Sequence, residues 1–304
     1  MRSSLFSLAK WSWLACVLVI AGWLLYRSRE AIVAMLAQVS PGLLAASLLL
    51  TVLAKGFLAE NARIAAARNG IALGFLTSAR LYNLSQLGKY LPGSIWQFVG
   101  RAAAYRARGA AYGPIRDALL VESLWVVAGS AVIGVLLLGP QVVGLVAQSL
   151  TPALAWWLGG GVLASVLSGA GVLLWKRRLA LRYLHLALPS MRVVVVQACI
   201  WIVLGLAFWV LTRACQLEVS PVFAAGLFAV GYSLGFLVPF APAGLGIRDA
   251  ILTIGLVPYV PAGEALAVTI LARAIYLLVD VGLAVVQEPL FALAAHRGKG
   301  SAGG

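Results

Sequence analysis

Two clusters of charged and helix-breaking residues interrupt otherwise apolar sequence, and together they have the makings of an anion site. The first is Gly88-Lys89-Tyr90-Leu91-Pro92-Gly93-Ser94, and the second is Gly244-Leu245-Gly246-Ile247-Arg248-Asp249. Proline lacks an amide donor and glycine ends helices, so each cluster breaks a helix. Ser94 and Gly246 fall where a short helix would begin. Free amides and the helix dipole at such a start favour an anion such as phosphate. Lys89 adds a point charge, and Arg248 a guanidinium that can grip phosphate through two parallel hydrogen bonds. The expected substrate-binding set is Lys89, Tyr90, Pro92, Gly93, Ser94, Gly244, Gly246, Arg248 and Asp249. The competing reading is plain turns, with Lys89 and Arg248 snorkelling to an interface.

Further ionisable groups lie in or near apolar stretches: Lys55, Glu60, Asp117, Glu122, Arg273 and Asp280. A charge in lipid costs about 2.5–3.5 kcal/mol on insertion scales, so such groups are paired or functional. Arg273 and Asp280 share a helix face but are too distant to pair directly. Glu122 is expected to partner Arg273 or Lys89. Glu122, Arg273 and Asp280 are the candidates for proton coupling or gating, weighed equally against a structural ion pair. Asp117, beside Arg116, reads as interfacial. Asn83, Gln86, Gln97, Tyr82, Tyr90 and Tyr232 flank the breaks and are expected mostly to satisfy backbone groups that the breaks release. His185 and His296 have no metal-ligand partner at helical spacing, and GxSxG, Walker A, HExxH and DxD motifs are absent. No cofactor or metal is expected, and a transporter is favoured over an enzyme.

The elements that must position these residues follow from composition. Apolar residues make up 62% of the 304, charged residues 11%, and mean hydropathy is +1.00. A soluble domain has about 45–50% apolar and about 25% charged residues, so lipid is the solvent. The net charge of +14 is spread between apolar blocks, which suits anionic headgroups rather than nucleic acid. Cys16, Cys199 and Cys215 read as apolar packers without a disulfide. Six stretches suit spanning helices, at 8–26, 41–60, 113–138, 153–175, 193–213 and 262–291, the first read as an uncleaved span. Segments 73–107 and 222–257 contain the two breaks. The arm after the second break is about 16 Å of helix, too short to cross. Both segments therefore read as re-entrant hairpins, which are tolerated only inside protein or against a watery cavity.

Tyr82, Leu84, Leu87 and Pro92 recur at the same spacing as Tyr232, Leu234, Leu237 and Pro242. The expected fold is thus an all-α integral membrane protein of six spans and two hairpins. It forms one membrane domain with inverted halves at about 1–145 and 146–296 and a disordered tail at 297–304. Small residues Gly161, Ser165 and Gly169 suit helix packing, and the tryptophans suit interfacial belts. Cations concentrate in loops on one side, Arg63, Arg101 and Arg192 among them, against Arg27, Arg29 and Arg213 on the other. That bias places both termini in the cytoplasm.

The first motif, extended to Ile95-Trp96, and the second, from Pro242 to Asp249, resemble the two signatures of the lysylphosphatidylglycerol synthase transmembrane family. Asp249 stands where the family usually has glutamate. The resemblance covers nearly the whole chain. It implies lipid handling in the bacterial cytoplasmic membrane, with lipids as partners and without the aminoacyl-transferase domain of some relatives. The expected function is a flippase-like translocase binding an anionic, phosphate-bearing headgroup between the hairpins. The alternatives are a membrane enzyme or accessory subunit acting on lipid-linked sugars or isoprenoids, working with a separate lipid-synthesising or glycosyltransferase partner, and a scaffold.

Overall fold

Among the described residues, four long apolar helices carry the architecture. The computed structural model describes residues 29–91, 95–149, 186–236 and 244–300, with Val19, Gly22, Trp23, Tyr26 and Arg27. Among these residues there is no strand. Helix α1 (Arg29–Ala37) leads to α2 (Pro41–Arg68), α3 (Phe75–Gln86), a 3-10 turn (Leu87–Tyr90), α4 (Trp96–Arg106) and α5 (Tyr112–Ser149). The later part holds α6 (Met191–Ala214), α7 (Pro221–Phe236), α8 (Ile247–Leu256) and α9 (Ala262–Gly300). Pro41 and Pro221 open their helices, where the missing amide donor has no intrahelical partner to lose.

Pro41–Arg68, Tyr112–Gly139, Met191–Ala214 and Ala262–Gln287 are long and apolar enough to cross a bilayer. They coincide with the spans expected at 41–60, 113–138, 193–213 and 262–291. The span expected at 153–175, with Gly161, Ser165 and Gly169, lies outside the described residues, as does most of that at 8–26. Helix α9 continues to Gly300, into the segment read as a tail.

Polarity is arranged the opposite way from a water-soluble protein. Val135 and Leu278 are 68% and 61% exposed, whereas Lys55 and Arg101 are 1% and Asp280 0% exposed. Such a surface is stable against hydrocarbon, and the buried charges pair within the bundle. The chain is a multi-pass membrane protein.

The segment 73–107 forms α3, the 3-10 turn and α4, and the segment 222–257 forms α7 and α8. The breaks at 92–94 and 237–243, with Pro92, Gly93 and Ser94, lie outside the described residues. Element ends recur at a fixed interval. Pro41 and Met191 begin α2 and α6, Gln86 and Phe236 end α3 and α7, and Tyr112 and Ala262 begin α5 and α9. Each pair is 150 positions apart, the interval between Tyr82 and Tyr232.

Helix α2 packs along α6, α7 against α5, and α3 against α9. Close approach of α5 and α7 depends on glycine. A Cβ on Gly134 would sit 2.7 Å from Val230, and one on Gly226 2.7 Å from Leu138. Trp201 is in the core, edge-on to Tyr232 at 5.0 Å. Its indole donates to Gln197 at 3.1 Å, and Gln197 donates to Asn61 at 2.9 Å. An indole N–H can be buried where it finds an acceptor, so the belt rule does not govern it. Cys199 and Cys215 are free thiols.

Candidate functional site

Residues from both sides of both breaks line one cavity of about 220 Å³. Lys89 and Tyr90 reach it from the 3-10 turn, and Ile95 and Gln97 from the start of α4. Gly235 and Phe236 come from the end of α7, and Gly244, Arg248 and Asp249 from the start of α8. Helix α2 adds Lys55, and α9 adds Arg273 and Tyr276.

Helix α9 organises the charges. Arg273, Tyr276 and Asp280 follow at spacings of three and four, so all three share one face. Asp280 lies behind the cavity wall and holds two lysines. Lys55 Nζ is 2.6 Å from Oδ1, and Lys89 Nζ is 2.6 Å from Oδ2. The Tyr90 hydroxyl donates to Oδ2 at 2.7 Å, and Lys89 also donates to Gln86 Oε1 at 3.3 Å. One carboxylate therefore serves two ammonium groups and a phenol.

Arg248 stands differently. Its guanidinium carbon is 4.6 Å from the Phe228 ring centre and 4.8 Å from that of Tyr276. Among the described residues it has no ion pair and no hydrogen bond. Ring faces attract a cation but do not neutralise it. Lys55 and Lys89 also lie over the Tyr276 ring, at 4.6 and 5.7 Å, so that ring carries three cations at close range.

Backbone geometry delivers Arg248 to the cavity. Gly244 and Gly246 have φ of 70° and 91°, a region that side chains disfavour. Against them, Gly235 leaves room for α8: a Cβ there would sit 2.9 Å from Arg248 Cβ. Asp249 Oδ2 accepts the Gly246 amide at 3.0 Å. Arg273 clamps the same carboxylate, Nε to Oδ1 at 3.2 Å and Nη2 to Oδ2 at 2.8 Å.

Several expectations change. The Gly246 amide is not open to an external anion, because Asp249 already caps it. Helix α4 begins at Trp96, and Ser94 lies outside the described residues. Glu122 pairs neither with Arg273 nor with Lys89. It accepts from Arg101 through both carboxylate oxygens, and Arg101 also donates to Ser85 at 3.2 Å and lies over the Tyr82 ring at 4.7 Å. Arg101 is thus a buried partner rather than a loop cation, and it tethers α4 to α5. Asp249 and Arg273 tether α8 to α9 in the same way with the charges exchanged. Asn83 and Gln86 bond side chains, Gln287 and Lys89, rather than backbone released by the breaks. Asp117 pairs with Arg116 at 2.8 Å, and Glu60 with Arg63 at 2.7 Å and Arg192 at 2.5 Å.

The residues that sequence reasoning missed are Lys55 as a cavity residue and Tyr276 as the ring beneath the cations. Their signals were a lysine within a span and a tyrosine between Arg273 and Asp280 on one face.

Residues 12–284 match the family described as "Lysylphosphatidylglycerol synthase TM region", and the chain belongs to that family. No curated protein matches the chain significantly.

Proposed function

We propose, with membership of the lysylphosphatidylglycerol synthase transmembrane family as the premise, that this protein is a flippase-like lipid translocase. An anionic, phosphate-bearing headgroup occupies the cavity between the two breaks, with Arg248 as its anchor and Lys89 beside it. The observation that carries this reading is the Arg248 guanidinium, which lines a cavity within the helix bundle without a counter-ion among the described residues. A charge left so costs about 2.5–3.5 kcal/mol on insertion scales, and a bound anion removes that cost.

The two broken segments act as re-entrant hairpins from opposite faces of the bacterial cytoplasmic membrane, with both termini in the cytoplasm. The 150-residue interval between element ends supports an inverted repeat, the usual frame for alternating access. The ion pairs of Arg273 with Asp249, and of Asp280 with Lys55 and Lys89, join the return arm of one break and the turn of the other to α9. They are the contacts that rearrange when the site changes face. Glu122 holds α4 through Arg101 and gates indirectly.

The test is headgroup transfer of a fluorescent anionic phospholipid in proteoliposomes. Arg248→Ala is expected to lower the transfer rate by about tenfold or more, equivalent to about 1.4 kcal/mol. Lys89→Ala is expected to lower it less, because Lys55 stays on Asp280. Unchanged transfer in both variants removes this function.

A further inference from the structure

The charges around the cavity form a tally that does not close. Arg273 and Asp249 neutralise each other, as do Arg101 and Glu122 behind the wall. Lys55 and Lys89 share the single carboxylate of Asp280, which leaves one positive charge over. Arg248 adds another, because its neighbours are rings. Among the described residues around the cavity, formal charges thus leave two more cationic than anionic groups. An unmet polar atom accompanies them. Tyr276 lines the cavity, is 7% exposed, and its hydroxyl has no hydrogen-bond partner among the described residues. Buried hydroxyls ordinarily find one.

The cavity lining also has apolar residues. Ile95, Phe98 and Phe236 line it, and Ile95 and Phe236 are 56% and 36% exposed. Leu91, Val99 and Leu234, nearby in sequence, are exposed too. In a membrane protein such a rim meets acyl chains rather than water.

We infer that the cavity takes a lipid headgroup bearing two negative charges, a phosphomonoester or a pyrophosphate diester, whose apolar chain leaves past Ile95 and Phe236. This deepens the proposed function and rests on it. A phosphodiester carries one negative charge and leaves one cation unmet. A phosphomonoester carries about two at neutral pH, which closes the tally. Its terminal oxygens accept from the Arg248 guanidinium.

The experiment is competition binding to the purified full-length chain in detergent. The probes are phosphatidic acid, phosphatidylglycerol and phosphatidylcholine with identical acyl chains, and inorganic phosphate and pyrophosphate without chains. Phosphatidic acid is expected to bind about tenfold or more tighter than phosphatidylglycerol, and the inorganic ions to compete poorly. A smaller ratio overturns the two-charge assignment. If phosphatidylglycerol still outcompetes phosphatidylcholine, the anionic-headgroup reading survives that result; if all three bind equally, both fall. Inorganic phosphate or pyrophosphate that displaces phosphatidic acid at equal concentration overturns the lipid as the source. Arg248→Gln is expected to abolish the preference and Arg248→Lys to keep most of it. A preference retained in folded Arg248→Gln protein overturns the anchor, and if that variant does not fold, a preference lost in Arg248→Lys does so.

Discussion

Arg101 and Arg248 are both cations within a bundle of apolar helices, and removing their charges should have different consequences. Arg101 is buried with Glu122 as its counter-ion, so Glu122→Gln leaves a guanidinium unmatched. Breaking a buried pair costs about 3–5 kcal/mol, and a marked fall in unfolding temperature in detergent is expected. The double variant Arg101→Met with Glu122→Leu should recover most of that loss, since it leaves no charge behind. A single variant as stable as the parent would show that the pair bears no load. Loss of the Arg248 charge, in contrast, is expected to affect lipid transfer with little effect on unfolding temperature. Individual residues were legible where a charge in apolar sequence is costly: Lys89, Arg248, Asp249, Arg273 and Asp280 all stand at or just behind the cavity wall. Partners were less legible. Glu122 finds Arg101 because of how α4 and α5 are rotated against each other, and rotation of a helix that is apolar on nearly every side leaves little periodic trace.

At the scale of elements, the start of α8 is the part whose geometry is most exacting. Gly235 must have no side chain for Arg248 to pass, and Gly244 must hold a positive φ. Gly235→Ala is expected to push Arg248 aside at a cost of about 1–3 kcal/mol from overpacking. Headgroup transfer should then fall about as far as in Arg248→Ala while circular dichroism shows the same helix content. Transfer at the parent rate in Gly235→Ala would mean that the position of Arg248 is not critical. Element ends were readable from the sequence because proline and glycine act locally: Pro41 and Pro221 open helices, the first motif falls between α3 and α4, and the second runs into the start of α8. The role of Asp249 was not readable in the same way. Capping the Gly246 amide needs a turn of defined shape, and residue type alone does not reveal that a carboxylate already fills the place an external anion was expected to take.

On the scale of the molecule, helices far apart in sequence pack together: α7 packs on α5, α3 packs on α9, and residues on both sides of each break wall the cavity. Composition and span length revealed the membrane class, and the spacing from Tyr82 to Pro92 revealed the interval. The meeting of the breaks depends on packing far apart in sequence, which local patterns do not encode. The most direct measurement is an experimental structure of the protein in lipid nanodiscs, in which the phosphorus of a co-purified lipid can be located. The expected result is a phosphate within about 3 Å of the Arg248 guanidinium nitrogens, at the hydrocarbon level, with Lys89 on the same cavity and the chain emerging past Ile95. Phosphates found only at the water boundary, with residues 88–91 and 244–248 apart from each other, would contradict it.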